Sequence, residues 1–183
     1  MGSRVVVGVD PGVTGGIAIL DGSQAKVHPM PTMPNPNGRG RTIDAHRVRD
    51  IIKAAVSNNG EPPWVILERQ QAMPRQGVVS TFSTGMGVGI IYGISCALGA
   101  PIEMVQVKTW QSAMFRGMPH KDTKAASIRR CKELFPQVCL LPTPKCTRES
   151  HGLADALLLA AYGHRTLVAC APQLGRSLES PLS

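Results

Sequence analysis

The sequence predicts an α/β fold: one mixed, five-stranded sheet flanked by helices. Three observations carry this expectation. Residues 4–9 are a β-branched run that reads as a strand buried on both faces. Two further strands follow at once, the first pair separated by a turn and the second joined by Asp21-Gly22, a hairpin signal. Beyond residue 42, short apolar runs alternate with helical periodicity, the pattern of a sheet covered by helices.

The elements follow in order. Asp10-Pro11-Gly12 breaks the first strand, residues 15–20 form the second and residues 25–30 the third. Residues 31–42, rich in proline and glycine and carrying Arg39 and Arg41, are expected to be a mobile basic loop. Thr42 is positioned to cap a helix over residues 43–57, which Asn58-Asn59-Gly60 ends. Residues 64–67 are a buried strand that delivers Glu68 at its end. Residues 78–98 read as a helix, with Gly85, Gly87, Gly89 and Gly93 lowering its propensity. Residues 101–105 are the fifth strand and residues 109–115 a helical turn. A helix starts at Asp122 or Thr123 and runs to Phe135, where Pro136 stops it. Residues 142–148 are a loop and residues 149–168 the last long helix. With no repeat and no linker, the chain reads as one domain over residues 1–171, followed by a flexible tail over residues 172–183.

Charge narrows the partners. Lys and Arg total 20 against 12 Asp and Glu, a net charge of +8 that favours a polyanion. Membranes are anionic as well, but the sequence shows neither a basic amphipathic helix with an aromatic face nor an unbroken apolar run of about 20 residues, so no membrane partner is expected. Two Trp, two Tyr and three Phe are too few for the aromatic platforms that grip single strands, which points to duplex or branched DNA held through its phosphates. The five cysteines are odd in number and lack a C-x-x-C pair, so disulfides are not expected. Cys139, Cys146 and His151 match no standard zinc spacing.

The acids suggest chemistry. Asp10 and Glu68 each follow a buried strand, and the carboxyl ends of strands are where open α/β sheets place their sites. Asp155 interrupts an apolar helical stretch, where an ionised carboxylate is costly unless paired or bound to metal. His151 lies four residues earlier, on the same helical face. Each acid alone has an ordinary structural explanation as a turn former, an ion-pair partner or a cap. Together, three converging carboxylates would repel one another, and hard divalent cations such as Mg²⁺ relieve that repulsion. Two such ions about 4 Å apart can hydrolyse a phosphodiester.

Four segments carry a resemblance: VGVDPGVTGGIA, VILERQQAMP, the stretch from KTWQ through KDTKAAS to ELFP, and HGLADALLLA. In this order, over roughly residues 4–165, they resemble the RuvC-like Holliday junction resolvases, and most of all the plant chloroplast members. The resemblance implies an RNase H-like fold, a homodimer, and a structure-selective endonuclease that resolves four-way DNA junctions by paired nicks. It implies two Mg²⁺ or Mn²⁺ ions per active site, held by Asp10, Glu68 and Asp155. His151 falls where relatives carry either a second carboxylate or a histidine, though its spacing from Asp155 is four rather than the bacterial three. Lys124 matches a lysine that approaches the scissile phosphate; a lysine in the first turn of a helix also opposes the dipole there. The segment after Glu68, with Gln70, Gln71, Arg75 and Gln76, is positioned to enter the junction, and Arg39, Arg41, Lys108 and Lys121 are further candidate DNA contacts. A chloroplast nucleoid location is also implied, with the transit peptide absent from this chain. Gly85, Gly89 and Gly93 form a stripe expected to pack a helix on the sheet, the resemblance adding a dimer contact as the alternative.

Other readings stay open. The same carboxylates suit a nuclease acting on RNA–DNA hybrid, and a junction-binding protein without catalysis would share the basic surface. DPGVTGG also resembles the phosphate loop of sugar kinases and actin-like ATPases, but those need two such domains, which 183 residues do not supply.

Overall fold

The structure is a computed structural model that describes residues 4–36, 38–71, 77–118 and 122–174, with side chains described as far as residue 166. β1 (Val6–Asp10), β2 (Gly16–Asp21) and β3 (Gln24–Pro29) form an antiparallel meander. β4 (Thr32–Pro34) and β5 (Arg41–Ile43) make a separate two-stranded ribbon. α1 (Ala45–Ala54), β6 (Trp64–Arg69), α2 (Val78–Ala97), β7 (Ile102–Gln106), α3 (Val107–Met114), α4 (Thr123–Leu134) and α5 (His151–Leu174) complete the chain. The main sheet has the order β3-β2-β1-β6-β7, with β6 parallel to both β1 and β7. The expected mixed, five-stranded sheet flanked by helices is therefore present.

Strand alternation sorts the core into two layers. Val5, Val7 and Val9 face one side of the sheet, where α1 and α2 cover them with Val48, Ile52 and Ile91. Val6 and Ile66 face the other side, against α3, α4 and α5. Gly8 shares that side, and a Cβ there would strike the carbonyl oxygen of Ala156 and the amide of Ala160. α5 thus lies backbone to backbone on the central strand. Its first turn is equally close: a Cβ on Gly152 would meet the Thr14 carbonyl oxygen at 2.5 Å.

Several boundaries differ from expectation. Asp10 is the last residue of β1 and Glu68 lies within β6, because the ladders run one or two residues beyond the apolar runs. The loop expected over residues 31–42 is instead the β4–β5 ribbon. Arg41 ties it: Nε donates to Thr32 Oγ1 at 2.7 Å and Nη2 to the Thr32 carbonyl at 2.6 Å. Thr42 sits inside β5, and the cap of α1 is Asp44, which accepts from the Arg47 amide at 3.1 Å. α5 extends to Leu174, past the expected end of the last helix at residue 168. The rest of the expected tail, residues 175–183, lies outside the described residues.

The glycine stripe of α2 does not pack on the sheet as expected. Built Cβ atoms on Gly85, Gly89 and Gly93 meet nothing within 4 Å. The sheet-facing positions are Gly87, Ile91 and Ser95, and the opposite surface exposes Val78, Val79 and Phe82 at 85%, 83% and 71%. Contrary to the composition reading, α2 is long and apolar enough to cross a membrane; Ser, Thr and Gly residues break the run without adding charge.

The closeness of α5 to β1 has a measurable consequence. Gly8→Ala should lower stability by about 1–3 kcal/mol or more through overpacking against backbone, whereas Gly38→Ala, which has room, should stay within about 0.5 kcal/mol. Denaturant midpoints of the two variants decide this; an unchanged midpoint for Gly8→Ala would contradict the contact.

Candidate active site

Residue parity places the acids. Val6, Gly8 and Asp10 alternate onto the α5 side of β1, and Ile66 and Glu68 onto the same side of β6. Val9 pairs with Leu67 across the parallel ladder, so Asp10 and Glu68 stand one step further along adjacent strands. Asp155, one turn into α5, faces them from above. The three carboxylates act on one another: the charge of Asp10 raises both Glu68 and Asp155, and that of Asp155 raises Glu68.

Burial dominates their electrostatics. Glu68 is pushed up to about 7, chiefly by desolvation, then by Asp10 and Asp155, against the lowering effect of hydrogen bonds from Trp110 and Gln70. Asp155 rises to about 6, again mainly through desolvation, with the Ser127 hydrogen bond and the Lys124 charge opposing. Asp10 is also raised by desolvation, offset by the Gly12 amide and by His151. The donors are specific. Gln70 Nε2 donates to Glu68 Oε1 at 2.7 Å and Trp110 Nε1 to Glu68 Oε2 at 3.1 Å. Ser127 Oγ donates to Asp155 Oδ1 at 2.5 Å, and the Gly12 amide donates to Asp10 Oδ1 at 3.3 Å. His151 Nδ1 stands 4.0 Å from Asp155 Oδ2.

The structure therefore brings together Asp10, Glu68, Asp155 and His151, with the exposed Lys124 charge directed at Asp155. Gln70 is committed to Glu68, while Gln71 is exposed. Lys108 is exposed on α3, Arg39 is exposed in the ribbon, and Arg41 is bound to Thr32. Arg75, Gln76 and Lys121 lie outside the described residues. Sequence reasoning missed Trp110 and Ser127. The only signals were a tryptophan whose N–H needs a partner once buried and a serine one turn along α4 from Lys124.

The donor set suits a hard divalent cation: it is oxygen-rich, anionic, and disfavoured by its own repulsion. The three carboxylates are neighbours, but among the described residues no three His, Cys, Asp or Glu side chains close to metal-ligand distance of a shared point. Among the described residues, each oxygen of Glu68 accepts a single hydrogen bond, which leaves a lone pair for a metal.

These shifts fix the sign of a pH effect. Glu68 titrates higher in the folded chain than its ordinary 4.5. Its favourable contribution is thus complete below about pH 4.5 and is lost as pH rises through about 7. In EDTA, thermal stability should fall across that window by roughly 3 kcal/mol from this group. Glu68→Gln should flatten the fall, and Mg²⁺ should counter it most at the alkaline end. Melting curves from pH 4.5 to 8 test this; identical slopes for parent and variant would refute it.

Comparison with known proteins bears on the fold. No protein-family profile matches the chain. Over 150 residues, 76% of the chain, it is 28% identical to the Holliday junction resolvase MOC1, chloroplastic, of Chlamydomonas reinhardtii, but it spans only 16% of that protein's length. Among solved structures it is similar to Thermus thermophilus RuvC in complex with a Holliday junction substrate: TM-score 0.57, 20% identity, 91% of this chain and 96% of that one. It is also similar to the yeast mitochondrial Holliday junction resolvase Ydc2: TM-score 0.58, 12% identity, 94% of this chain and 83% of that one. Its sheet order and its two helical layers give the chain the RNase H-like fold of those two solved structures.

Proposed function

We propose that the chain is a metal-dependent endodeoxyribonuclease that resolves four-way DNA junctions by symmetric paired nicks, in recombination and repair. The convergence of Asp10, Glu68 and Asp155 at one end of the sheet, in a chain of net charge +8, carries the reading. The match to a chloroplastic junction resolvase supports the substrate, and it supports a plastid location.

The three carboxylates would hold two Mg²⁺ ions, with Mn²⁺ able to substitute. When bound, such ions supply an activated water and stabilise the leaving oxygen. The chain's own groups do the rest. Lys124, whose charge reaches Asp155, would neutralise the scissile phosphate. His151 stands at the edge of the cluster beside Asp155. The basic surface positions DNA through its backbone.

A junction has an approximate two-fold axis, so a two-fold protein presents one active site to each of two opposed strands. The open side of α2 supports a homodimer. It carries no charged residue over 20 positions, and exposed Val78, Val79, Phe82 and Met86 lie beside glycines that allow close approach. Its anchorage to the core through Gly87, Ile91 and Ser95 argues against a membrane role.

A cleavage assay comparing a four-way junction, an RNA–DNA hybrid and a linear duplex, with and without Mg²⁺, tests the proposal. Paired, ligatable nicks in the junction alone are expected; preferential cutting of the hybrid would overturn the substrate assignment. Asp10→Asn should abolish cutting while junction binding stays near the parent's, and residual cutting within tenfold would remove Asp10 from the site. Lys124→Ala should slow single-turnover cleavage roughly a hundredfold with little change in affinity. Mixed dimers of parent and Asp10→Asn should cut one strand only, and two-strand cutting by a species that sediments as a monomer on the junction would exclude the dimer.

A further inference from the structure

Two side chains outside the acidic cluster each hold one of its members. Trp110 is fully buried on α3, edge-on to Phe115 with ring centroids 5.9 Å apart, and its N–H reaches Glu68 Oε2. Ser127 is buried on α4 and its hydroxyl reaches Asp155 Oδ1. Neither donor can turn to water. Bonds from fixed donors to carboxylates are stronger than neutral ones and fix the acceptor's orientation.

The two helices are also tied to each other. Arg130, one turn beyond Ser127, donates from Nε to the Met114 carbonyl at 2.6 Å and from Nη2 to the Arg116 carbonyl at 3.3 Å. Met114 lies one turn beyond Trp110 on α3. Nη1 of Arg130 is held by Glu133 Oε2 at 3.0 Å. Each donor therefore sits one turn from the tie. α3 itself starts directly after β7, whose Val105 pairs with Glu68, so the indole is carried over the neighbouring strand's end.

We propose that Trp110 and Ser127 are positioning residues. Linked through Arg130, they form one bracket that sets how Glu68 and Asp155 face each other, and so determines the cluster's affinity for a divalent cation. This rests on the nuclease reading for the identity of the site, but its central measurement needs no DNA.

The experiment titrates Mn²⁺ against thermal stability for the parent, Trp110→Phe and Ser127→Ala. Single-turnover cleavage of a junction is followed in parallel as Mg²⁺ is raised. Phe keeps the packing of Trp and removes its N–H; Ala removes a single oxygen. Val48→Ala, on the far side of the sheet, is the control for plain loss of core stability. Trp110→Phe and Ser127→Ala should each raise the metal concentration at half-saturation roughly tenfold to a hundredfold. Cleavage should recover toward the parental rate at high metal, and junction affinity in EDTA should not change. Val48→Ala should melt earlier with its half-saturation unmoved. Half-saturation within twofold of the parent for both variants would overturn the proposal and leave Trp110 and Ser127 as ordinary core residues. If Trp110→Phe does not fold, Ser127→Ala decides alone. A parent that Mn²⁺ stabilises but that cuts no junction would overturn the nuclease reading while the bracket is still measured. A parent that Mn²⁺ does not stabilise would overturn both.

Discussion

Three acidic side chains, Glu68 buried and Asp10 and Asp155 half-buried, stand beside one another, and the architecture around them answers the cost of that arrangement. An unpaired carboxylate in the interior is strongly disfavoured, and each neighbour of like charge adds to the penalty. The chain accepts the cost through close packing. Gly8 lets α5 settle on β1 at backbone contact, and Gly152 lets the same helix begin against the β1–β2 turn. Asp155 cannot retreat without lifting the helix that packs Leu153, Leu157 and Leu158 into the core on that face of the sheet. Asp10 and Glu68 cannot retreat because they belong to paired strands.

Neutral donors supply part of the compensation. The indole of Trp110, the amide of Gln70 and the hydroxyl of Ser127 each supply one hydrogen bond without neutralising the charge. Lys124 supplies charge from the exposed edge, and His151 stands beside Asp155. The acids are thus held in place but not satisfied. That is the condition in which a cation gains most by binding, because it relieves repulsion that packing has made unavoidable.

How much of this was legible in the sequence depends on whether a feature is local. Strand alternation is local. The run from Val5 to Val9 reveals two buried faces, and the same period of two sends Asp10 to the α5 side. The helical stretch around Asp155 likewise exposes its anomaly to inspection. The β4–β5 ribbon was not legible, since three-residue strands ending at Pro34 carry no periodicity, and the Arg41–Thr32 bonds that close it are tertiary facts. Trp110 and Ser127 act on partners 42 and 28 positions away, beyond any spacing rule. The glycines of α2 misled for a related reason: a stripe of small residues looks the same whether a sheet covers it or nothing does.

The open stripe and the buried acids complement each other across the sheet. Strand parity gives the acids to the layer of α3, α4 and α5, and leaves α2 in the other layer with α1. A strongly basic chain repels its own copies over most of its surface. The charge-free side of α2 escapes that repulsion, and its exposed valines and phenylalanine gain by leaving water. Two copies meeting there would keep both acidic sites and their flanking cations off the shared face, open to one polyanion. The constraint that gathers three carboxylates on one side of the sheet is therefore compatible with pairing through the other side, and such a pair would present two equivalent sites related by a two-fold axis.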